Sequence, residues 1–285
     1  MVWIILSLFM LENALLAVKY RAKIIKLFRY LSSRIDNDRN EIIHIEDEDN
    51  AWYSTAPTLI LHGGGYNGHR YNNSKEGIDA GIKKYSVIEI DVGITSDNVL
   101  VLTHRFEPDD EIIFDSKPTL DEFMKNGALE GETPLSLKQF VNFYNENDSV
   151  YFLVDCAHGI EMKVASELVK ICDEKFLDRL IFQVHGIELL KKISNMKRFK
   201  NIHYNGTLNE ISQMLHVLRE NNIHTCSVMD REIAPENPAL ICVKESGIHI
   251  FSYVVNHNRR LQRDLKLGVD GVFTDVLSPK CIGII

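Results

Sequence analysis

The sequence predicts an α/β fold: a closed (β/α)8 barrel preceded by an N-terminal helical extension. Three observations carry that reading. Short apolar, strand-like runs alternate with helix-periodic segments from Thr58 almost to the C-terminus, which is the pattern of parallel βαβ units. The units number about eight over this length, as in a closed barrel. The glycines after the first run, Gly63 to Gly65, lack GxGxxG spacing, and no acidic residue follows at the ribose-binding distance, which disfavours an open dinucleotide-binding sheet.

The chain has 285 residues, 45% of them hydrophobic and 25% charged, ordinary proportions for a globular protein with a sizeable core. A net charge of −8 argues against a general nucleic-acid binder, so no nucleic-acid partner is expected. The five cysteines are scattered, odd in number and without a CxxC pair. They read as reduced thiols, not a disulfide framework or zinc site, and fit a cytoplasmic location.

Residues 1–34 begin with an apolar run, VWIILSLFML, interrupted at Glu12 and Asn13. Lys19, Arg21, Lys23, Lys26, Arg29 and Arg34 follow, with Ile24, Ile25, Leu27, Phe28 and Leu31 among them. Positive charge before the apolar run, the mark of a cleaved signal peptide, is absent. The run is also marginal for crossing a bilayer, which wants about 20 apolar residues. A basic amphipathic helix suits an anionic membrane surface, so association through 1–34 is expected. Residues 35–57 are polar and acidic and read as a linker, with a short strand at 42–45. The barrel domain spans 58–285.

Within it, strands are predicted at 58–62, 86–92, 99–104, 150–155, 180–184, 201–204, 224–228, 248–254 and 271–274. Helices are predicted at 75–84, 136–146, 160–174, 187–196, 208–221, 236–246 and 258–267. Strand 99–104 is an extra piece beside the second barrel strand. Residues 105–134 break the alternation as a long excursion positioned to cover a site.

Five polar residues fall at C-terminal strand ends, where barrel chemistry sits: His62, Glu89, Asp91, His104 and Asp155. Glu89 and Asp91 point the same way from one strand. Two such carboxylates need a cation, a shared proton or water between them. Glu89, Asp91 and Asp155 offer oxygen ligands without a supporting His or Cys pair, which favours Mg2+ or Ca2+. Asp155 alternatively caps the helix that follows near Gly159. Gly63 and Gly64 allow close approach of a ligand to backbone N–H groups. Gln183 and Asn256 stand where substrate hydroxyls could be bound. His158, His185, His203 and His257 read as surface or supporting residues.

Together these residues resemble the glycerophosphodiester phosphodiesterase family, in the branch with a His-x-Gly-Gly-Gly opening. The likeness rests on His62-Gly63, Asn73-Ser74-Lys75-Glu76, Glu89-Ile90-Asp91, Thr95-Ser96-Asp97-Asn98, Thr103-His104-Arg105, Thr133-Pro134-Leu135-Ser136-Leu137 and the closing Gly268-Val269-Asp270-Gly271-Val272-Phe273-Thr274-Asp275. It covers about residues 58–280 and implies a TIM barrel of the phosphatidylinositol-phosphodiesterase type and a divalent-metal phosphodiesterase acting on a small phosphodiester. His62 and His104 would then be the acid–base pair, with Glu89, Asp91 and Asp155 the metal ligands. The family's phosphate-binding Arg is Gly63 here, and the Asp after its second His is Arg105. Its Glu-x-Lys pair is Asp155-Cys156-Ala157. Arg70 or Arg105 is expected to supply the missing positive charge. Two other functions compete: phospholipase-like cleavage of intact lipid, which the basic front suits, and a non-catalytic binding module that lost its phosphate cations.

Overall fold

The computed structural model describes residues 51–53, 58–65, 72–104, 106 and 116–279. The expectations for the extension 1–34, the strand at 42–45, nearly all of the linker, and Arg70 and Arg105 fall outside them. Nine strands are present among the described residues: β1 (Thr58–Leu61), β2 (Val87–Ile94), β3 (Leu100–Leu102), β4 (Tyr151–Cys156), β5 (Leu180–His185), β6 (Asn201–Asn205), β7 (Thr225–Met229), β8 (His249–Tyr253) and β9 (Gly271–Thr274). Eight pair in parallel in the order β1-β2-β4-β5-β6-β7-β8-β9, and β9 pairs back onto β1, so the ring closes. Helices lie between the strands, which makes the fold a (β/α)8 TIM barrel. They are α1 (Lys75–Ile82), α2 (Leu120–Asn126), α3 (Leu137–Tyr144), α4 (Glu161–Ile171), α5 (Glu174–Leu177), α6 (Ile187–Met196), α7 (Leu208–Gln213), α8 (Leu215–Glu220), α9 (Pro238–Glu245) and α10 (Asn258–Lys266).

Strand alternation divides the apolar residues into two cores. Leu61, Ile88, Ile90, Phe152, Val154, Phe182, Val184 and Val272 face outward and pack under the helices. Ile60, Val87, Leu153, Ile181, Phe251 and Phe273 face inward and fill the barrel, joined by Trp52 and Tyr53 from the segment before β1. Trp52 stacks on Phe251 with ring centroids 5.1 Å apart. Above this oily layer, the same inward face of each strand turns polar.

β3 runs antiparallel to β2, with Leu102 opposite Val92. Consecutive carbonyls on a strand point to opposite edges. Asp91 O accepts from Thr103 N and Val92 O from Ala157 N, so β3 lies on the edge of β2 away from β4, continuing beyond the short strand β1. That placement carries His104 to the rim. Thr95 Oγ1 donates to Asp97, whose carboxylate also accepts from Leu120 N at 2.9 Å, tying this hairpin to the start of α2.

Two helix predictions need correction, and one helix was not predicted. The excursion 105–134 contains α2, started by a capping box between Thr119 and Glu122. The helix expected over 208–221 is two helices meeting at Met214, which leaves helical geometry at φ −112° and ψ 11°. The helix expected over 160–174 ends at Ile171, and Asp173 caps the separate short helix α5.

Candidate active site

The inward step of two residues along each strand delivers a polar layer at the C-terminal rim: His62 after β1, Asp91 from β2, Asp155 from β4, His185 from β5, Asn205 from β6, Tyr253 from β8 and Asp275 after β9. Glu89 lies one inward step below Asp91. Glu89, Asp91 and Asp155 each offer an oxygen, all within 4.8 Å of one another. Glu89 and Asp91 are buried at 3% and 5% exposure, where unpaired carboxylates are costly. Burial, then the charges of Asp91 and Asp155, push Glu89 well above the ordinary carboxylate range. Burial also raises Asp91, against the lowering effect of His104 and His62 beside it. Burial pushes Asp155 up, but hydrogen bonds from His185, Gln183 and Cys156 N hold it below its usual value.

Each carboxylate is also held by a donor. Gly63 N donates to Glu89 Oε2. Asn73 Nδ2 donates to Asp91 Oδ2 at 2.8 Å while its Oδ1 accepts from Asp91 N at 2.9 Å. Cys156 N and His185 Nε2 reach Asp155 Oδ1 at 2.8 and 3.1 Å. An all-oxygen donor set, mutually repelling and with two of its three carboxylates buried, fits a hard divalent cation. Helix capping by Asp155 does not occur: α4 begins at Glu161 with Ile160 at its cap and no side-chain cap bond.

His62 faces this cluster with its back against Asp275: Nδ1 and Asp275 Oδ1 are 2.8 Å apart. Asp275 is in turn held by Asn256, whose Nδ2 donates to Oδ2 at 2.5 Å and whose Oδ1 accepts from Asp275 N at 2.9 Å and Thr274 Oγ1 at 3.1 Å. The Asp275 contact takes Nδ1; Nε2 is the other ring nitrogen of His62. His104 follows β3 at the same rim, close enough for its charge to act on Asp91.

The remaining expected site residues divide. Gly63 gives its N–H to Glu89 instead of to an open cleft. Gly64 adopts φ +52°, and a Cβ there would come 3.1 Å from Asn73 Cα, so this glycine lets the loop lie against Asn73. Gln183 is 3% exposed and supports Asp155 from below. Asn256 is engaged with Asp275. Asp275, Asn73 and His185 are the functional neighbours that sequence reasoning left out of the site. Asp275 and His185 carry a signal, the two-residue inward step from Phe273 and Gln183, and Asn73 lies inside the Asn-Ser-x-Glu motif.

Residues 64–278 match the model of the glycerophosphoryl diester phosphodiesterase family. The fold is similar to that of a glycerophosphodiester phosphodiesterase of Parabacteroides distasonis, at TM-score 0.63 and 18% identity over 80% of this chain and 95% of that one. It is similar to one of Thermotoga maritima, at TM-score 0.61 and 19% identity over 76% and 94%. It is also similar to a phosphodiesterase of Oleispira antarctica solved with its product sn-glycerol-3-phosphate, at TM-score 0.62 and 17% identity over 79% and 95%. No curated protein matches the chain.

Proposed function

This chain belongs to the glycerophosphoryl diester phosphodiesterase family, a family of phosphoric diester hydrolases, and on that premise we propose how its rim hydrolyses a glycerophosphodiester to an alcohol and glycerol phosphate. One observation carries the reading: three carboxylates within 4.8 Å of one another, with His62 and His104 both acting on the charge of Asp91.

Glu89, Asp91 and Asp155 are the residues that would hold a divalent cation of the Mg2+ or Ca2+ class. Such an ion supplies Lewis-acid stabilisation of charge on the phosphoryl oxygens. His62 takes the proton of the attacking water or neighbouring substrate hydroxyl through Nε2. A carboxylate behind an imidazole orients it and stabilises it once it has gained a proton, and Asp275 is so placed. His104, on the β3 side, gives its proton to the departing alkoxide. Gly64 and the cations Arg70 and Arg105 bind the phosphate and neutralise its remaining charge, while Asn256 and Gln183 act by holding Asp275 and Asp155.

The test compares leaving groups. On an alkyl glycerophosphodiester, His62→Ala and His104→Ala are each expected to lower kcat by about 10²–10⁴. On a p-nitrophenyl diester, whose leaving group needs no proton, His104→Ala recovers most of its rate and His62→Ala does not. Full activity of both variants, or wild-type activity that survives exhaustive chelation, refutes the mechanism. Rescue of His62→Ala alone reverses the two roles.

A further inference from the structure

We propose that the barrel interior beneath the carboxylates holds one resident water, bonded to Gln183 Oε1, His203 Nε2 and Ser227 Oγ, and that through it His203 and Ser227 position Gln183 against Asp155. The water site stands on the fold alone, and its effect on a metal ligand rests on the reading above. The first observation is a set of buried atoms. Gln183, His203 and Ser227 are at most 3% exposed, and these three atoms have no hydrogen-bond partner among the described residues. Leaving such groups unpaired in an apolar interior is costly.

The second observation is that the strands bring the three side chains to one wall. Gln183 on β5 stands opposite His203 on β6, and His203 stands opposite Thr225 on β7. Ser227 is the next residue of β7 on that face, opposite Phe251 of β8, whose ring belongs to the inner core. Partners in register share a face, and neighbouring strands run about 4.8 Å apart. Thr225 Oγ1 occupies His203 Nδ1 at 3.0 Å, which leaves Nε2. The ring is set among Trp52, Phe251 and Phe273, with centroids 6.0, 5.8 and 6.1 Å away. Burial, then the charge of His185, push His203 down to about 3, so the imidazole is neutral and carries one N–H. A buried water typically makes about three hydrogen bonds to otherwise unpaired groups. With two hydrogens and two lone pairs, it donates to Gln183 Oε1 and serves the imidazole nitrogen and the hydroxyl in either tautomer.

The effect reaches the rim through one amide. Gln183 Nε2 is 3.5 Å from His185 Nε2, which is 3.1 Å from Asp155 Oδ1. Burial raises the Asp155 carboxyl, and hydrogen bonds from His185 and Gln183 bring it back down. An amide has a donor end and an acceptor end. A donor fixed on Oε1 keeps the NH2 end toward Asp155; without it the amide is free to turn and present oxygen to a carboxylate. His203 and Ser227 are therefore positioning residues that touch neither metal nor substrate.

The experiment uses the full chain. It combines a high-resolution crystal structure with calorimetric Ca2+ and Mg2+ binding to wild type, His203→Leu, His203→Gln and Ser227→Ala, each repeated in a Gln183→Ala background. The structure is expected to show one water about 2.7–3.2 Å from all three atoms. His203→Leu is expected to bind metal about tenfold more weakly, the lower end for partners behind a metal ligand. His203→Gln, which keeps a donor and an acceptor, is expected to recover most of that loss. In the Gln183→Ala background neither change lowers metal affinity further, because both act through that amide. A structure with no water in contact with the three atoms overturns the site. Unchanged metal affinity in His203→Leu, equal weakening in His203→Leu and His203→Gln, or additive losses with Gln183→Ala overturns the positioning role. Ser227→Ala, a small change, decides that role if His203→Leu does not fold: it is expected to weaken metal binding when Gln183 is present and not when it is absent. Wild type that binds neither ion counts against the carboxylate site and takes the positioning role with it, while the crystal structure still decides the water.

Discussion

His62 and Asp275 are 213 positions apart in the chain and 2.8 Å apart in space, and the pair can be disabled without touching the carboxylates. In Asp275→Asn, the side-chain oxygen stays with the Asn256 amide. The new NH2 then meets His62 Nδ1, which must become an acceptor, so Nε2 carries the hydrogen and cannot take another. A comparable change behind a catalytic histidine costs about 10⁴ in rate. The expected result is a kcat loss of that order with Ca2+ affinity unchanged, measured by kinetics and calorimetry on the same preparation. Glu89 gives a second residue-level test. Its carboxyl is raised from 4.5 by burial and by Asp91 and Asp155. A raised folded value means its contribution to stability is complete below the unfolded value and is lost as pH rises through the folded one. Metal-free Glu89→Gln should therefore melt at a higher temperature than metal-free wild type near pH 8, with the gap shrinking near pH 5. The Tm rise that Ca2+ or Mg2+ gives wild type should be absent from the variant. These carboxylates were legible in the sequence because Glu89 and Asp91 share one strand. The His62–Asp275 bond was not, because strand parity gives the face of Asp275 but not which side chain 213 positions away it meets.

Elements that announce themselves by local chemistry were the readable ones. Ser136 and Gln139 make a capping box at the start of α3, and the helix expected over 136–146 falls there. Thr119 and Glu122 make the same box for α2, yet the seven-residue helix is short enough to hide inside an excursion that reads as a loop. Met214 breaks the 208–221 segment with neither glycine nor proline to mark it. The α1 helix shows how an element reaches into the site. Gly77 lies one turn along it, and a Cβ there would stand 2.5 Å from the Gly64 carbonyl oxygen. Alanine favours a helix over glycine by about 1 kcal/mol. Gly77→Ala nevertheless should lose activity, because it pushes away the loop whose Gly63 N–H holds Glu89. Tm is expected to stay within a few degrees while kcat falls at least about tenfold, more than a stability change of that size accounts for. A variant as active as wild type would show that the loop tolerates the shift.

At the scale of the whole molecule, alternation over the chain was enough to predict the closed barrel, and eight parallel strands with β9 returned to β1 match it. Among the described residues no helix is long and apolar enough to cross a membrane. The basic segment 1–34 lies outside those residues, and its expected role on an anionic surface is a matter for truncation. A chain lacking 1–34 should turn over a water-soluble glycerophosphodiester within about twofold of the full chain and lose co-sedimentation with anionic vesicles. Equal vesicle binding by both chains removes the membrane role, and a selective loss of turnover on intact lipid favours the phospholipase reading. The layering of the ring has a further consequence, for how such a protein can change. β2, β4 and β5 each present oil to the helices at one residue and carboxylate or imidazole to the barrel's inward face at the next. Deleting one residue before Asp155 within β4 would swing Cys156 onto the rim face and push Asp155 under the helices; deleting two would restore the parity. Lineages of this fold are thus free to lengthen or shorten their strands in pairs, and an odd step discards the core and the chemistry in the same event.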